Sequence, residues 1–320
     1  MYAEENRGPR MDASSKTLGC GGTPRAPWKY RALAAIGRLY PFYSGSAHVA
    51  NSKLFWKLAK PKSAVAWCRG PGGAMLVPLN DFVGRCIYFS GDYDPKISWL
   101  CRRTVRRGDV VLDIGANMGV VTLLLARCVG PTGVVHAFEP NPRMGGLLTE
   151  SASMNGFTNI KLHGIALGSR SGSFELNIPR GNAGQGSLIF HKNKSDCDTV
   201  KVPVRRLSEV FGEQGITNVR LMKIDVEGFE SEVLLGATEI LETVRPNLIL
   251  FETNETVDTP FFQRPAVQIL QKADYRFMAL WKSVLRVSLV PIDVKRQDYS
   301  HCHDILAVAA EKYPEISSAL

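Results

Sequence analysis

From residue 108 onward the apolar positions alternate between two periods. Residues 109–114 form a short apolar run, 118–129 repeat apolar side chains at helical spacing, and 133–138 return to a short run. The alternation continues with a helix over 141–155 and a strand over 159–166. A polar stretch follows, in which 173–178, 187–190 and 199–204 read as extended and 179–186 as a loop. Strand 219–224, helix 230–244, strand 247–252, helix 261–273 and extended segments 275–280 and 304–309 complete the pattern. Short buried strands joined by crossover helices predict an α/β domain with a mostly parallel, doubly wound sheet covered on both faces.

Upstream the pattern differs. Between 28 and 60 apolar residues recur at helical spacing (Leu33, Ile36, Leu39, then Leu54 and Leu58), with a break at Pro41. Residues 74–79 and 82–89 read as two strands of a hairpin turning at Asn80 and Asp81, and 97–105 as a short helix. Residues 1–27, rich in Gly, Pro, Ser and charge, read as a disordered tail. The expected division is a tail (1–27), a helical and hairpin extension (28–107), the α/β domain (108–310) and a C-terminal tail (311–320).

Composition changes this picture little: 45% of residues are apolar and 22% charged, as in ordinary globular chains. No apolar run approaches the ~20 residues of a membrane span. Seven cysteines without a Cys-x-x-Cys pair predict reduced thiols and a cytoplasmic location. Charge is placed unevenly. Residues 1–107 hold 18 Lys/Arg against 6 Asp/Glu, and the remaining 213 hold 21 against 24, which together give +9. The basic third carries no recognisable nucleic-acid motif, so no nucleic-acid partner is expected.

The chemistry begins where the first strand of the α/β pattern runs into Asp113-Ile114-Gly115-Ala116-Asn117-Met118-Gly119 and then a helix. A glycine turn between strand and helix admits a ligand close to the backbone. Asn117 and Val120 stand where a dinucleotide fingerprint needs glycines, and no Lys-Ser/Thr follows for a phosphate loop. Asp113 offers an acid to a cationic amine, and Glu139 ends the next strand where an acid meets ribose hydroxyls. An aminoacyl group, a ribose and no phosphate describe S-adenosylmethionine.

The stretch 110–255 resembles the FkbM family of S-adenosylmethionine-dependent methyltransferases. The resemblance is carried by 112–119, by Ala137-Phe138-Glu139-Pro140-Asn141-Pro142, by Ala166-Leu167-Gly168, by Gly186-Ser187-Leu188, and by the run Ile224-Asp225-Val226-Glu227-Gly228-Phe229-Glu230. Gly91-Asp92-Tyr93-Asp94 stands where the family often has Gly-x-Tyr-Glu. The resemblance implies a Rossmann-like class I methyltransferase fold with a seven-stranded sheet, and methyl transfer to a hydroxyl of a small molecule, a natural product or sugar. It implies cofactor contacts from Asp94, Asp113, Gly115, Asn117, Gly119, Glu139, Pro140, Ala166, Leu167 and Asp225.

A hydroxyl acceptor gains from a base that takes its proton in the transition state. Asp225, ending the fourth strand, is the first candidate, with Glu227 two residues on and His191 in the polar loop as others. Helix capping is the competing role for Glu227 and Glu230. Asp225, Glu252 and Asn254 are a candidate oxygen set for Mg²⁺, although no metal is expected. His301 and His303 flank Cys302 and read as a surface strand end. Transfer to nitrogen, and a binding protein without turnover, remain the rival readings.

Overall fold

The computed structural model describes residues 27–40, 43–45, 50–59, 65–179, 186–188, 197–253, 259–293 and 303–319. His191, Asn254, His301 and Cys302 lie outside the described residues, as do 1–26 of the expected tail.

The extension opens with helices α1 (Trp28–Gly37) and α2 (Lys53–Leu58) and strands β1 (Val65–Gly70) and β2 (Gly73–Pro78). Helices α3 (Phe82–Ser90) and α4 (Pro95–Thr104) lead into the α/β domain. There the chain runs β3 (Val110–Ile114), α5 (Val120–Val129), β4 (Val134–Phe138), α6 (Pro142–Met154) and β5 (Ile160–His163). Strands β6 (Ala166–Leu167), β7 (Gly172–Pro179) and β8 (Cys197–Arg205) form a small side sheet in the order β6-β8-β7. The main sheet resumes through α7 (Leu207–Gln214), β9 (Leu221–Ile224), α8 (Glu230–Gly236), α9 (Thr238–Thr243) and β10 (Leu248–Glu252). It closes with α10 (Pro265–Lys272), β11 (Tyr275–Lys282), β12 (Val287–Pro291), β13 (Asp304–Ala309) and α11 (Tyr313–Ala319).

The main sheet has the order β12-β11-β13-β10-β9-β3-β4-β5. From β5 to β10 neighbouring strands are parallel; β13 enters antiparallel between β10 and β11. Without β12, the strands numbered along the chain run 3-2-1-4-5-7-6, the class I methyltransferase arrangement. The expected seven strands are present, and β12 adds an eighth on the outer edge of β11. Winding reverses between β3 and β9, and a crevice opens there beyond the strand ends. Val111, Leu112, Leu221, Met222, Leu248 and Ile249 are wholly buried, since helices cover both faces.

Three expectations need correction. The hairpin is β1–β2, turning at Pro71 and Gly72, whereas 82–89 is helical. Asp81 caps α3, its side chain accepting from the Gly84 N–H at 2.9 Å, and nearly all of α3 is buried. An all-buried helix has no amphipathic period, so its Phe, Val, Ile and Tyr content imitates a strand. The expected helix 230–244 is two helices that meet at Ala237. The residues set apart as a C-terminal tail contain α11, which buries Ile316 in the core.

Candidate active site

Strand register places the site. Ile114 pairs with Phe138 on one side and Ile224 on the other, and Ile224 pairs with Phe251. The next residues, Gly115, Glu139, Asp225 and Glu252, therefore lie at one level at the carboxyl ends of their strands. The turn after β3 stays tight because the N–H groups of Gly115 and Ala116 both donate to the Phe138 carbonyl at 3.0 Å. Gly115 has φ +79°, and a Cβ there would lie 1.9 Å from the Asp225 carbonyl oxygen, so only glycine fits. Asn117 takes the left-handed region at φ 51°, and its side chain accepts from the Met118 N–H at 2.7 Å.

Two joined clefts lie over this level. The first is bounded by Phe138, Glu139, Pro140, Asn141, Met144, Ile165, Ala166, Leu167, Leu188 and Phe229. The second is bounded by Asp92, Tyr93, Asp94, Lys96, Lys223, Glu252, His303 and Asp304. Gly115, Asn117, Asp225 and Glu227 border both. The side sheet reaches the first cleft through a bridge between Asn177 and Ser187, which sets Gly186 and Leu188 over it.

Glu139 anchors the first cleft. One carboxylate oxygen accepts from the Asn117 N–H at 2.7 Å and the other from the Asn141 N–H at 2.8 Å. Burial raises its pKa to about 7 against the opposing pull of those N–H groups. A carboxylate oxygen can accept further bonds, so two neighbouring hydroxyls of a ligand can share it.

The second cleft is acidic. Burial, with Asp225 and Glu230 nearby, raises Glu227 to about 7. Burial, with Asp225 and Asp304 nearby, raises Glu252 to about 8. Asp92 rises to about 6, chiefly by burial. Lys223 stands between, its Nζ 3.2 Å from Asp225 Oδ2 and 3.4 Å from Asp113 Oδ1, and it donates to the Gly115 carbonyl at 3.3 Å. Burial would lower the lysine's pKa, but Asp225 and Asp113 outweigh it and raise it. Glu227 has a left-handed backbone at φ 53°, and its carbonyl accepts from the Ser187 hydroxyl at 3.1 Å. Glu230 instead closes the turn before α8, accepting from the N–H groups of Val226 at 3.2 Å and Gly228 at 3.1 Å. Capping is thus seen for Glu230, while Glu227 faces both clefts.

Other expected site residues are placed less directly. Asp113 is wholly buried beneath the turn, accepting from the Thr122 hydroxyl at 2.6 Å and facing Lys223; it borders neither cleft. Gly119 also lies off both clefts, and a Cβ there would strike Leu148 at 2.3 Å, so it serves helix packing. Asp94 borders the second cleft but caps α4 through the Lys96 N–H and pairs with Lys96 at 3.4 Å and Lys282 at 3.1 Å. Lys96 also pairs with Asp304. For the Mg²⁺ alternative, no group of three His, Cys, Asp or Glu side chains arranged to hold a metal ion occurs among the described residues. Lys223, Lys96, Asp92 and Asp304 had no assigned role from sequence. A lysine inside the buried strand Leu221–Ile224 was the readable signal, since a buried ammonium demands a carboxylate partner.

Comparison with known proteins agrees with this geometry. Residues 113–277 match the model of the methyltransferase FkbM domain. The chain is 29% identical over 166 residues to the 31-O-demethyl-FK506 methyltransferase FkbM of Streptomyces tacrolimicus, covering 42% of this chain and 62% of that protein. It is 29% identical over 149 residues to the 2-O-methyltransferase NoeI of Sinorhizobium fredii, covering 42% and 60% respectively. It is 32% identical over 152 residues to the hexuronic acid methyltransferase AglP of Haloferax volcanii, covering 47% and 58%. The chain thus spans about three fifths of the length of these relatives. The solved methyltransferase FkbM of Methylobacillus flagellatus KT aligns over 83% of this chain and 60% of its own, with 12% identity and a TM-score of 0.38. With the family model covering more than half its length, the chain belongs to the FkbM methyltransferase family.

Proposed function

We propose that this chain is an S-adenosylmethionine-dependent methyltransferase acting on a hydroxyl oxygen of a small molecule. The observation that carries the reading is the pair of joined clefts, one apolar with Glu139 at its rim and one acidic, meeting at Gly115, Asn117, Asp225 and Glu227. The residues present fit the cofactor. Phe138, Ile165, Leu167 and Leu188 suit a purine, and Glu139 suits the ribose diol. Asp225 suits the cationic methionine end.

When bound there, S-adenosylmethionine supplies an electrophilic methyl group. Holding acceptor and donor in line supplies much of the acceleration. Glu227, which borders both clefts, would take the hydroxyl proton of the acceptor. A carboxylate raised to about 7 is matched to that task near neutral pH. Asp225, paired with Lys223, holds the cation and orients the acceptor.

Titration calorimetry with S-adenosylmethionine and with NAD tests the cofactor, and tighter NAD binding overturns the assignment. Release of S-adenosylhomocysteine across a panel of hydroxyl and amine acceptors tests the reaction. Release with amines only gives the nitrogen alternative, and cofactor binding without release across the panel gives the binding protein.

A further inference from the structure

Helix α1 is fixed to the extension by its inner face. Tyr30, Ala34 and Gly37 are buried, Tyr30 stacks on Phe89 of α3 at 6.4 Å, and a Cβ at Gly37 would lie 2.5 Å from the Phe89 carbonyl. The opposite arc faces solvent. On it Trp28 is 75% exposed, Ile36 63%, and Leu39 in the turn just beyond the helix 79%. Ala32 and Ala35 are exposed with them. At about 100° per residue these five positions share one arc roughly 100° wide. The exposed side chains of Lys29 and Arg31 border that arc on its two sides. Surface helices ordinarily turn the apolar stripe inward and the polar one outward. Here a second apolar stripe faces out.

Charge along this part of the chain has one sign. From residue 13 to residue 80 the chain holds ten Lys/Arg and no Asp/Glu. Helix α2 packs on the same Phe89 through Phe55, ring centroids 5.4 Å apart, and leaves Lys53, Lys57 and Leu58 exposed. We propose that α1 docks the chain on an anionic lipid surface. Trp28, Ile36 and Leu39 enter the boundary between headgroups and acyl chains, while Lys29 and Arg31 meet acidic headgroups. A second copy of the chain would set basic rim against basic rim, which the charge opposes. A nucleic acid would satisfy the lysines and leave the Trp–Ile–Leu stripe in water.

The test is sedimentation of the full chain with phosphatidylcholine vesicles, with and without phosphatidylglycerol. Binding is expected only with the anionic lipid, weakening as salt rises. Ile36→Ser/Leu39→Ser and, separately, Lys29→Glu/Arg31→Glu should each lower partitioning by about tenfold or more. Neither pair faces the core, so circular dichroism and Tm should match the parent chain. No binding of the parent chain to anionic vesicles overturns the proposal, as does undiminished binding by both variants. A concentration-dependent dimer abolished by Ile36→Ser/Leu39→Ser, without vesicle binding, would assign the stripe to a second copy. Duplex DNA binding lost only in Lys29→Glu/Arg31→Glu, again without vesicle binding, would assign the surface to nucleic acid.

Discussion

Glu139 shows how far one residue can be read from position alone. An acid ending the second strand of an α/β pattern lies at the crevice because strand ends define the crevice, whatever the details of packing. Asp113 shows the opposite. It sits beside a glycine turn in sequence, yet strand alternation turns its side chain under the turn onto Thr122 and Lys223. Glu139→Gln should weaken S-adenosylmethionine binding by about 1.5–3 kcal/mol, about ten- to a hundredfold in Kd by calorimetry. Asp113→Asn should act instead on stability, because it leaves the Lys223 ammonium short of a buried partner. For the chemical step, Glu227→Gln should lower turnover by about 10²–10⁴-fold with little change in cofactor Kd. In the parent chain kcat/KM should rise with pH through about 7, where Glu227 loses its proton, then level off. Glu227→Gln should remove that limb. Should Asp225→Asn abolish turnover while Glu227→Gln retains both rate and pH limb, Asp225 is the base instead.

Whole elements were legible wherever two signals agreed. From β3 to β5, and again at β9, β10, β11 and β13, apolar runs stand out between helical periodicity and short turns, so existence and order follow from pattern, whereas β12 was not expected. Pattern failed at α3, where burial on all sides erased the helical period. One local signal remained there: Asp81 stands immediately before the run, in the position of an N-cap, and was read as part of a hairpin turn instead. Topology was less accessible than element type. The insertion of β13 between β10 and β11 is a long-range pairing that no window of sequence displays, and the family resemblance implied only the number of strands. Asp81→Ala should cost about 1–2 kcal/mol by removing the cap of α3. Because α3 carries Phe89, on which α1 and α2 both pack, that loss should appear in the cooperative unfolding transition, measured by urea denaturation. Asp81→Asn or Asp81→Ser, which also cap, should restore most of the stability.

At the scale of the whole molecule the acidic cleft sets how stability depends on pH. Glu139 and Glu227 are raised to about 7 from 4.5, Glu252 to about 8 from 4.5, and Asp92 to about 6 from 3.8, burial being the first cause in each. Each binds its proton more tightly in the folded chain than in the unfolded one. Folding therefore takes up protons between the unfolded and folded pKa values, and stability falls as pH rises through that window. His136 works in the other direction. Burial lowers it to about 4 from 6.5, so its contribution is lost as pH falls below 6.5. Between pH 4.5 and 6.5 these four carboxyl groups outweigh the one histidine, and above 6.5 they act without that opposition. The ligand-free chain should therefore lose Tm as pH rises past 6.5, by several degrees at about pH 8.5. Glu252→Gln, which removes the highest of these groups while keeping its shape, should flatten the alkaline slope and raise Tm at pH 8.5. A cationic ligand in the cleft should favour the ionised carboxylates, so S-adenosylmethionine should raise Tm more at pH 8.5 than at 6.5. A Tm that climbs steadily from pH 6.5 to 8.5 without ligand, in parent and Glu252→Gln alike, would show that these carboxylates are already stabilised in the folded chain and that the cleft does not need a cation to hold them.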